Sequence, residues 1–176
     1  KFSRAAVLEV NTLESMIFSW HKGKFEGKRL LPEAQLAPAF GISVGDLDGD
    51  GAEDLFLSQN FFAVAGFEPR GDAGRGLLLK GNGQGELRPV PGQQSGIEVY
   101  GEQRGCALSD YDQDGRVDLV VTQNGAETKL YRNVAGRPGL RVRLLGPPGN
   151  PQAVGAAMRL QMAECLGPLR EIHAGS

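Results

Sequence analysis

Short apolar runs separated by turns of glycine and aspartate dominate this chain. The runs at 16–20 and 25–30 flank a turn at Gly23, and the runs at 77–80 and 87–90 flank a second glycine-rich turn. Runs of this length, bounded by turn residues, are typical of β-strands, because helices need longer periodic segments. The pattern therefore predicts two β-hairpins.

An internal repeat relates two longer segments. At an offset of 64 residues, the segment 41–60 aligns with the segment 105–124, and nine of the twenty positions are identical. Such repetition is typical of solenoids and propellers, whose units are too small to bury an apolar face alone. Short strands at a pitch near 60 residues favour the blade of a β-propeller over a sandwich.

A second match extends the repeat. At an offset of 51 residues, the segment 130–133 aligns with 79–82, and the smaller offset arises because the segment 61–75 has no long counterpart in the second repeat. The segment 61–75 is therefore predicted to be a loop inserted in one blade.

Each repeat contains the acidic pattern Asp-x-Asp-x-Asp-Gly-x-x-Asp, in which Gly51 or Gly115 at position 6 permits a sharp turn. Calcium takes about six to eight oxygen ligands, a number that four carboxylates, the position-7 carbonyl and water can reach. The pattern predicts two Ca²⁺ sites, one in each repeat. The candidate ligands are Asp46, Asp48, Asp50, Ala52 and Asp54 in the first loop, and Asp110, Asp112, Asp114, Arg116 and Asp118 in the second, with Ala52 and Arg116 contributing backbone carbonyls.

The spacing also indicates the scaffold. An EF-hand carries a bidentate glutamate at position 12 of its loop, whereas position 12 is Leu57 in one repeat and Val121 in the other. Each loop is instead followed by an apolar run typical of a buried strand, so each loop is predicted to join two strands. Histidine and cysteine are absent from both loops, which disfavours soft-ligand metals. An ordinary Asp-Gly hairpin turn without a metal remains the alternative.

Composition and charge narrow the function. The 26 glycines and 10 prolines among 176 residues favour an all-β fold, and the net charge of −2 without a basic cluster argues against nucleic-acid binding. No apolar stretch approaches the ~20 residues that span a bilayer, so no membrane span is expected. Cys106 and Cys165 could pair, but Cys106 lies in an apolar strand, where a packed free thiol is the expected state.

Candidate catalytic residues are scarce. His21 and His173 are the two histidines, and neither belongs to a nucleophile or metal motif. The aspartates are already assigned to the metal loops. We expect a protein that is not an enzyme and has no catalytic residues; a hydrolase that acts on polysaccharide through the loop surface is the alternative.

The acidic loops resemble the FG-GAP/VCBS repeats of integrin-α-like β-propellers. The following residues, Leu-Tyr-Arg-Asn at 130–133, the segment 138–144 and the segment 149–156, are similar to the ASPIC/UnbV (cartilage acidic protein-like) family. The resemblance covers most of the chain and is strongest from 40 to 144. It implies an all-β fold, a partial β-propeller with parts of about three blades, followed by a short β-rich C-terminal segment.

The resemblance also implies a division of the chain. Residues 1–40 are expected to belong to a preceding blade, 41–104 to a repeat blade with the inserted loop, 105–137 to a second, partial repeat, and 138–176 to the start of an ASPIC/UnbV-like β segment. The resemblance implies that a complete ring of this kind has about seven blades. We therefore expect either a fragment of a longer protein or a short form whose copies associate to cover open strand edges.

The expected function follows from this resemblance. It implies a calcium-binding, non-catalytic scaffold, extracellular or periplasmic, that takes part in adhesion by binding a protein or a glycan. A dockerin-like helical calcium module is a further alternative, and it requires a mostly helical chain.

Overall fold

The computed structural model describes residue 6 and the segments 8–161 and 166–174. Its strands lie in four antiparallel sheets. The first is a hairpin of β1 (Met16–His21) and β2 (Lys24–Arg29), which confirms the first predicted hairpin. A 3-10 turn, Pro32–Gln35, leads from this hairpin towards the next sheet.

The second sheet has four strands in sequence order. These strands are β3 (Ala39–Gly45), β4 (Asp54–Gln59), β5 (Leu77–Gly81) and β6 (Leu87–Val90). The segment 61–75 between β4 and β5 contains an isolated bridge from Phe61 to Gly71 and no assigned strand. This segment thus forms a long connection between β4 and β5.

The third sheet has three strands. They are β7 (Glu102–Ser109), β8 (Asp118–Asn124) and β9 (Lys129–Tyr131), preceded by a single helical turn, α1 (Gly92–Ser95). The C-terminal part adds the small pair β10 (Ala157–Met158) and β11 (Arg170–Glu171).

Strand β4 lies at the centre of the packing, because both of its faces are covered. Phe56 points into a core between the two larger sheets, together with Leu119 and Val121 of β8. On the opposite face, Leu57 packs with Leu79 and with Ala34 of the 3-10 turn. Burial on both faces explains why the segment after the acidic loop is continuously apolar.

The first strands of the two repeats approach each other closely. A Cβ built on Gly41 would lie 3.0 Å from the Cα of Gly105, closer than most real Cβ contacts, so glycine favours this close approach. Beside it, Ser43 donates a hydrogen bond to the sulfur of Cys106 at 3.2 Å, and Cys106 is a free thiol. The expectation for Cys106 is confirmed, and Cys165 lies outside the described residues.

The described residues confirm an all-β fold in which helix is limited to two short turns. This composition contradicts the dockerin-like alternative, which requires helices. Among the described residues, no helix is long and apolar enough to cross a membrane.

Candidate metal centre

The two acidic loops occupy equivalent positions in the two larger sheets. Gly45 pairs with Asp54 at the end of the β3–β4 hairpin, and Ser109 pairs with Asp118 at the end of the β7–β8 hairpin. Each loop therefore joins two antiparallel strands, as the spacing predicted.

In the first loop, three carboxylates converge. One oxygen from each of Asp46, Asp48 and Asp50 lies within 4.8 Å of the others. The carboxylate of Asp46 organises the turn, because its Oδ1 accepts hydrogen bonds from the N–H groups of Gly49 (2.8 Å) and Asp50 (3.0 Å), and its Oδ2 accepts one from Gly51 (2.9 Å). Gly51 has a positive φ of 91°, a conformation that favours glycine, so the position-6 glycine supplies the predicted sharp turn.

The second loop gathers a different set of three. Oxygens of Asp110, Asp112 and Asp118 lie within 4.8 Å of one another, whereas Asp114 is outside the group. Asp110 Oδ2 accepts a hydrogen bond from the N–H of Gly115 at 3.1 Å, but its buried Oδ1 has no hydrogen-bond partner. A buried carboxylate oxygen without a donor is costly, and a cation beside it removes that cost.

The position-9 aspartate of the first loop is buried and serves the fold directly. Asp54 is 3% exposed, and its two oxygens accept the N–H groups of Leu47 (2.9 Å) and Gly81 (3.0 Å). Burial raises the pKa of Asp54 above its ordinary value despite these two hydrogen bonds, and the charges of Asp50 and Asp46 add to that rise. Asp54 lies outside the converging group in this loop.

Asp118 makes the same contacts in the second repeat. It is 2% exposed and accepts the N–H groups of Tyr111 (3.1 Å) and Asn133 (2.7 Å). Unlike Asp54, it also belongs to the converging group. The last aspartate of the pattern thus ties each acidic loop to the end of the third strand in the first repeat, at Gly81, and to the residues just after the third strand in the second, at Asn133.

The strand register corrects the sequence alignment after the loops. Leu55 pairs with Leu79 in the first repeat, and Leu119 pairs with Tyr131 in the second, so the third strands correspond at an offset of 52 residues instead of 51. At this offset Lys80 and Arg132 are equivalent. Each lies directly after the last residue that pairs with the second strand of its sheet. Neither basic residue was predicted from the sequence to contact an acidic loop.

Lys80 and Arg132 both contact the acidic loops. The ammonium of Lys80 pairs with Asp48 and lies 2.9 Å from Asp50 Oδ2. In the second repeat, Arg132 Nε lies 2.5 Å from Asp112 Oδ2, and the charge of Asp112 raises the pKa of Arg132.

Asp114 is held by two arginines. Its Oδ2 lies 3.0 Å from Arg116 Nη1 and 3.2 Å from Arg132 Nη2, and its Oδ1 accepts the N–H of Arg116 at 2.9 Å. The N–H of Arg116, followed by the arginine side chains, holds the pKa of Asp114 below its ordinary value. This pairing explains why Asp114 lies outside the group formed by Asp110, Asp112 and Asp118.

A segment after β9 connects the two loops. The side-chain amide of Asn133 donates hydrogen bonds to the carbonyls of Leu47 (2.6 Å) and Val117 (3.0 Å), one in each loop. The N–H of Arg137 reaches the carbonyl of Asp48 at 2.9 Å, and the N–H of Gly139 reaches that of Gly115 at 2.7 Å.

The donor chemistry fits a hard cation. Both groups consist of carboxylate oxygens, and Asp110, a member of the second group, has a buried Oδ1 without a hydrogen-bond partner. The two acidic clusters can therefore hold a metal ion. At position 7, the N–H groups of Ala52 and Arg116 donate to Asp50 Oδ1 and Asp114 Oδ1, so these residues stabilise the turns in addition to the carbonyl role predicted for them.

Comparison with known proteins gives a limited result. No family model matches the chain, and no solved structure matches it. The chain is 26% identical over 91 residues to "Cartilage acidic protein 1" of Xenopus tropicalis, a match that covers 52% of this chain and 12% of that protein. The chain thus spans about an eighth of the length of this relative. The similarity gives weak, partial support to the suggested ASPIC/UnbV resemblance.

Proposed function

We propose that this chain is a calcium-binding part of a β-propeller built from FG-GAP/VCBS blades. The observation that carries the proposal is the convergence of three carboxylates in each of two repeated loops. Calcium, which prefers such oxygen donors, would supply a compact positive charge that offsets the repulsion among the aspartates.

The packing of the two larger sheets supports the propeller assignment. Four antiparallel strands in sequence order make one sheet, three make the next, and a shared core containing Phe56 and Leu119 lies between them. In a propeller, radially repeated sheets pack face to face in this manner. The close approach of Gly41 to Gly105 suits the crowded inner strands of neighbouring blades.

The biological role we propose is adhesion or binding outside the cytoplasm. Calcium would fix the strand connections of a non-catalytic scaffold, and the exposed loops would bind a protein or a glycan. An extracellular or periplasmic location agrees with two considerations: extracellular calcium modules tolerate weak sites, with dissociation constants of about 10⁻⁴ to 10⁻³ M, and the similar frog protein is named for cartilage.

Calcium titration combined with thermal melting tests the proposal. At a free calcium concentration ten times the dissociation constant, each site contributes about 1.4 kcal/mol to the free energy of unfolding, and two independent sites contribute about twice that. The wild-type protein should bind two calcium ions, and its Tm should fall when EDTA is added.

A variant with weakened calcium sites controls for effects of EDTA that do not depend on calcium binding. Asp46→Asn combined with Asp110→Asn retains a side-chain oxygen at each position but removes one charge from each loop. We expect this variant to melt at nearly the same temperature in calcium and in EDTA. A wild-type melt that EDTA leaves unchanged would argue against calcium binding.

A further inference from the structure

We propose that Lys80 and Arg132 are resident cations that compete with a divalent metal for the acidic loops. This inference rests on the calcium binding proposed above. It concerns which residues set the calcium affinity of the same loops.

In the first loop, the ammonium of Lys80 contacts Asp48 and Asp50, two of the three carboxylates that converge. The Lys80 side chain is 26% exposed, so its charge is partly shielded from water. A metal held by the same carboxylates would lie within a few ångströms of that ammonium, and like charges at this separation repel. Lys80 therefore stabilises the metal-free loop and weakens metal binding.

In the second loop, two guanidinium groups perform this role. Arg132 is forked between Asp112 and Asp114, while Arg116 also pairs with Asp114. These contacts hold Asp114 outside the group of converging carboxylates. A metal held by the converging carboxylates would lie close to the Arg132 guanidinium that pairs with Asp112. Arg116 keeps Asp114 from joining those carboxylates, so both arginines weaken metal binding in this loop.

The ion pairs of Lys80 and Arg132 occur at equivalent positions in the two repeats, which argues against chance. The sheet register makes Lys80 and Arg132 equivalent positions at the ends of β5 and β9, and both side chains turn to the acidic loop of their own repeat. The two residues differ in chemistry but agree in position, charge and partner. A cation supplied by the third strand is thus a feature of both repeats.

Isothermal titration with CaCl₂ tests the inference on the intact chain. Lys80→Gln should tighten one calcium site by at least about tenfold, which corresponds to about 1.4 kcal/mol. It should also lower the Tm in EDTA, because the metal-free loop loses its counter-charge. Lys80→Arg keeps the charge and should behave like the wild type.

A charge-matched control distinguishes the effect of a charge beside the acidic loop from the effect of the protein's net charge. Lys24→Gln removes the same charge from the β1–β2 hairpin, where Lys24 pairs with Glu26 and its side chain is 71% exposed. This variant should bind calcium like the wild type. Equal tightening in Lys24→Gln and Lys80→Gln would overturn the proposal, since the effect would then come from net charge alone.

Arg132→Gln gives an independent test in the other repeat, where the Arg132 side chain is 54% exposed. It should tighten the site in the second loop and leave the site that Lys80→Gln tightens unchanged. If Lys80→Gln and Arg132→Gln each bind two calcium ions no more tightly than the wild type, the resident-cation role is overturned and calcium binding stands. Failure of every variant and of the wild type to bind calcium would overturn both proposals.

Discussion

Aspartates of one sequence pattern perform different tasks in this molecule. Asp118 is 2% exposed and has both oxygens engaged by backbone N–H groups, whereas Asp50 is exposed and contacts Lys80. Burial and partners, and not residue type, determine which aspartates support the fold. Substitutions at the two positions should therefore have different effects.

Asp118→Asn should destabilise the protein even without metal. The substitution replaces one carboxylate oxygen with an NH₂ group, which faces the N–H of either Tyr111 or Asn133 and leaves that donor unpaired. We expect a loss of about 1–3 kcal/mol in the free energy of unfolding, measured by urea denaturation in EDTA. Asp50→Asn, the control at an exposed position, should change it by less than about 0.5 kcal/mol. Equal effects of the two substitutions would contradict this division of roles.

Glu102 should make stability depend on acid pH. It is 4% exposed and accepts hydrogen bonds from the N–H of Phe62 (2.9 Å) and the amide of Asn124 (2.7 Å). These two donors, with the charge of Arg104, lower the pKa of Glu102 below its ordinary value. Because the folded pKa lies below the unfolded value of about 4.3, the stabilisation is complete above that pH and is lost as the pH falls through the folded pKa.

Glu102→Gln tests this linkage. The variant should be less stable than the wild type at neutral pH, and its stability should fall less steeply as the pH drops below about 4.3. Denaturation by urea across a pH series measures both effects. Glu68→Gln is the control at an exposed position. A fall in stability at low pH that is as steep in Glu102→Gln as in the wild type would refute the assignment.

At the scale of elements, the sequence predicted most hairpins but not the contacts around the acidic loops. The repeated loop pattern and the apolar runs identified the strands because their signals are local. The positions of Lys80 and Arg132 depend on strand register, and matches at Leu79/Leu130 and Asn82/Asn133 shifted the alignment by one residue. A one-residue shift turns every side chain to the other face of a strand, so the basic residues could not be placed.

The second loop shows a related limit. The spacing alone makes Asp50 and Asp114 equivalent, yet Arg116 at position 7 pairs with Asp114 and holds it away from the other carboxylates. The first loop has Ala52 at that position. A basic residue next to the pattern was the available signal that the two loops differ.

The contact between β3 and β7 gives a prediction at the same scale. Gly41→Ala would place a Cβ 3.0 Å from the Cα of Gly105 and 3.2 Å from the N of Cys106. Because backbone atoms cannot rotate away, the strands must separate, and we expect a loss of about 1–3 kcal/mol in the free energy of unfolding. Gly66→Ala, where a Cβ meets no atom within 4 Å, serves as the control. Urea denaturation showing no difference between the two variants would contradict the close packing.

At the scale of the whole molecule, Asn133 joins the two repeats. Its amide donates to a carbonyl in each acidic loop, and its Oδ1 accepts the N–H groups of Ala135 (3.2 Å) and Gly136 (2.8 Å). The two loops are thus connected through one side chain. A change at Asn133 should affect both sheets.

Asn133→Ala should lower the free energy of unfolding by about 2–6 kcal/mol, because four hydrogen bonds are lost at about 0.5–1.5 kcal/mol each. Asn82→Ala is the matched control, since Asn82 hydrogen-bonds within its own β5–β6 turn, to Gln84 and Glu86. Thermal or urea unfolding compares the variants. A loss in Asn133→Ala no larger than that in Asn82→Ala would contradict the joining role.

The most direct test of the account is a crystal structure of the protein grown with calcium, with anomalous diffraction data collected to locate the ion. We expect one anomalous peak among Asp46, Asp48 and Asp50, and a second beside Asp110, Asp112 and Asp118, where Asp110 Oδ1 gains a partner. Calcium-replete crystals in which both loops lack a peak, with their carboxylates turned to solvent, would contradict it.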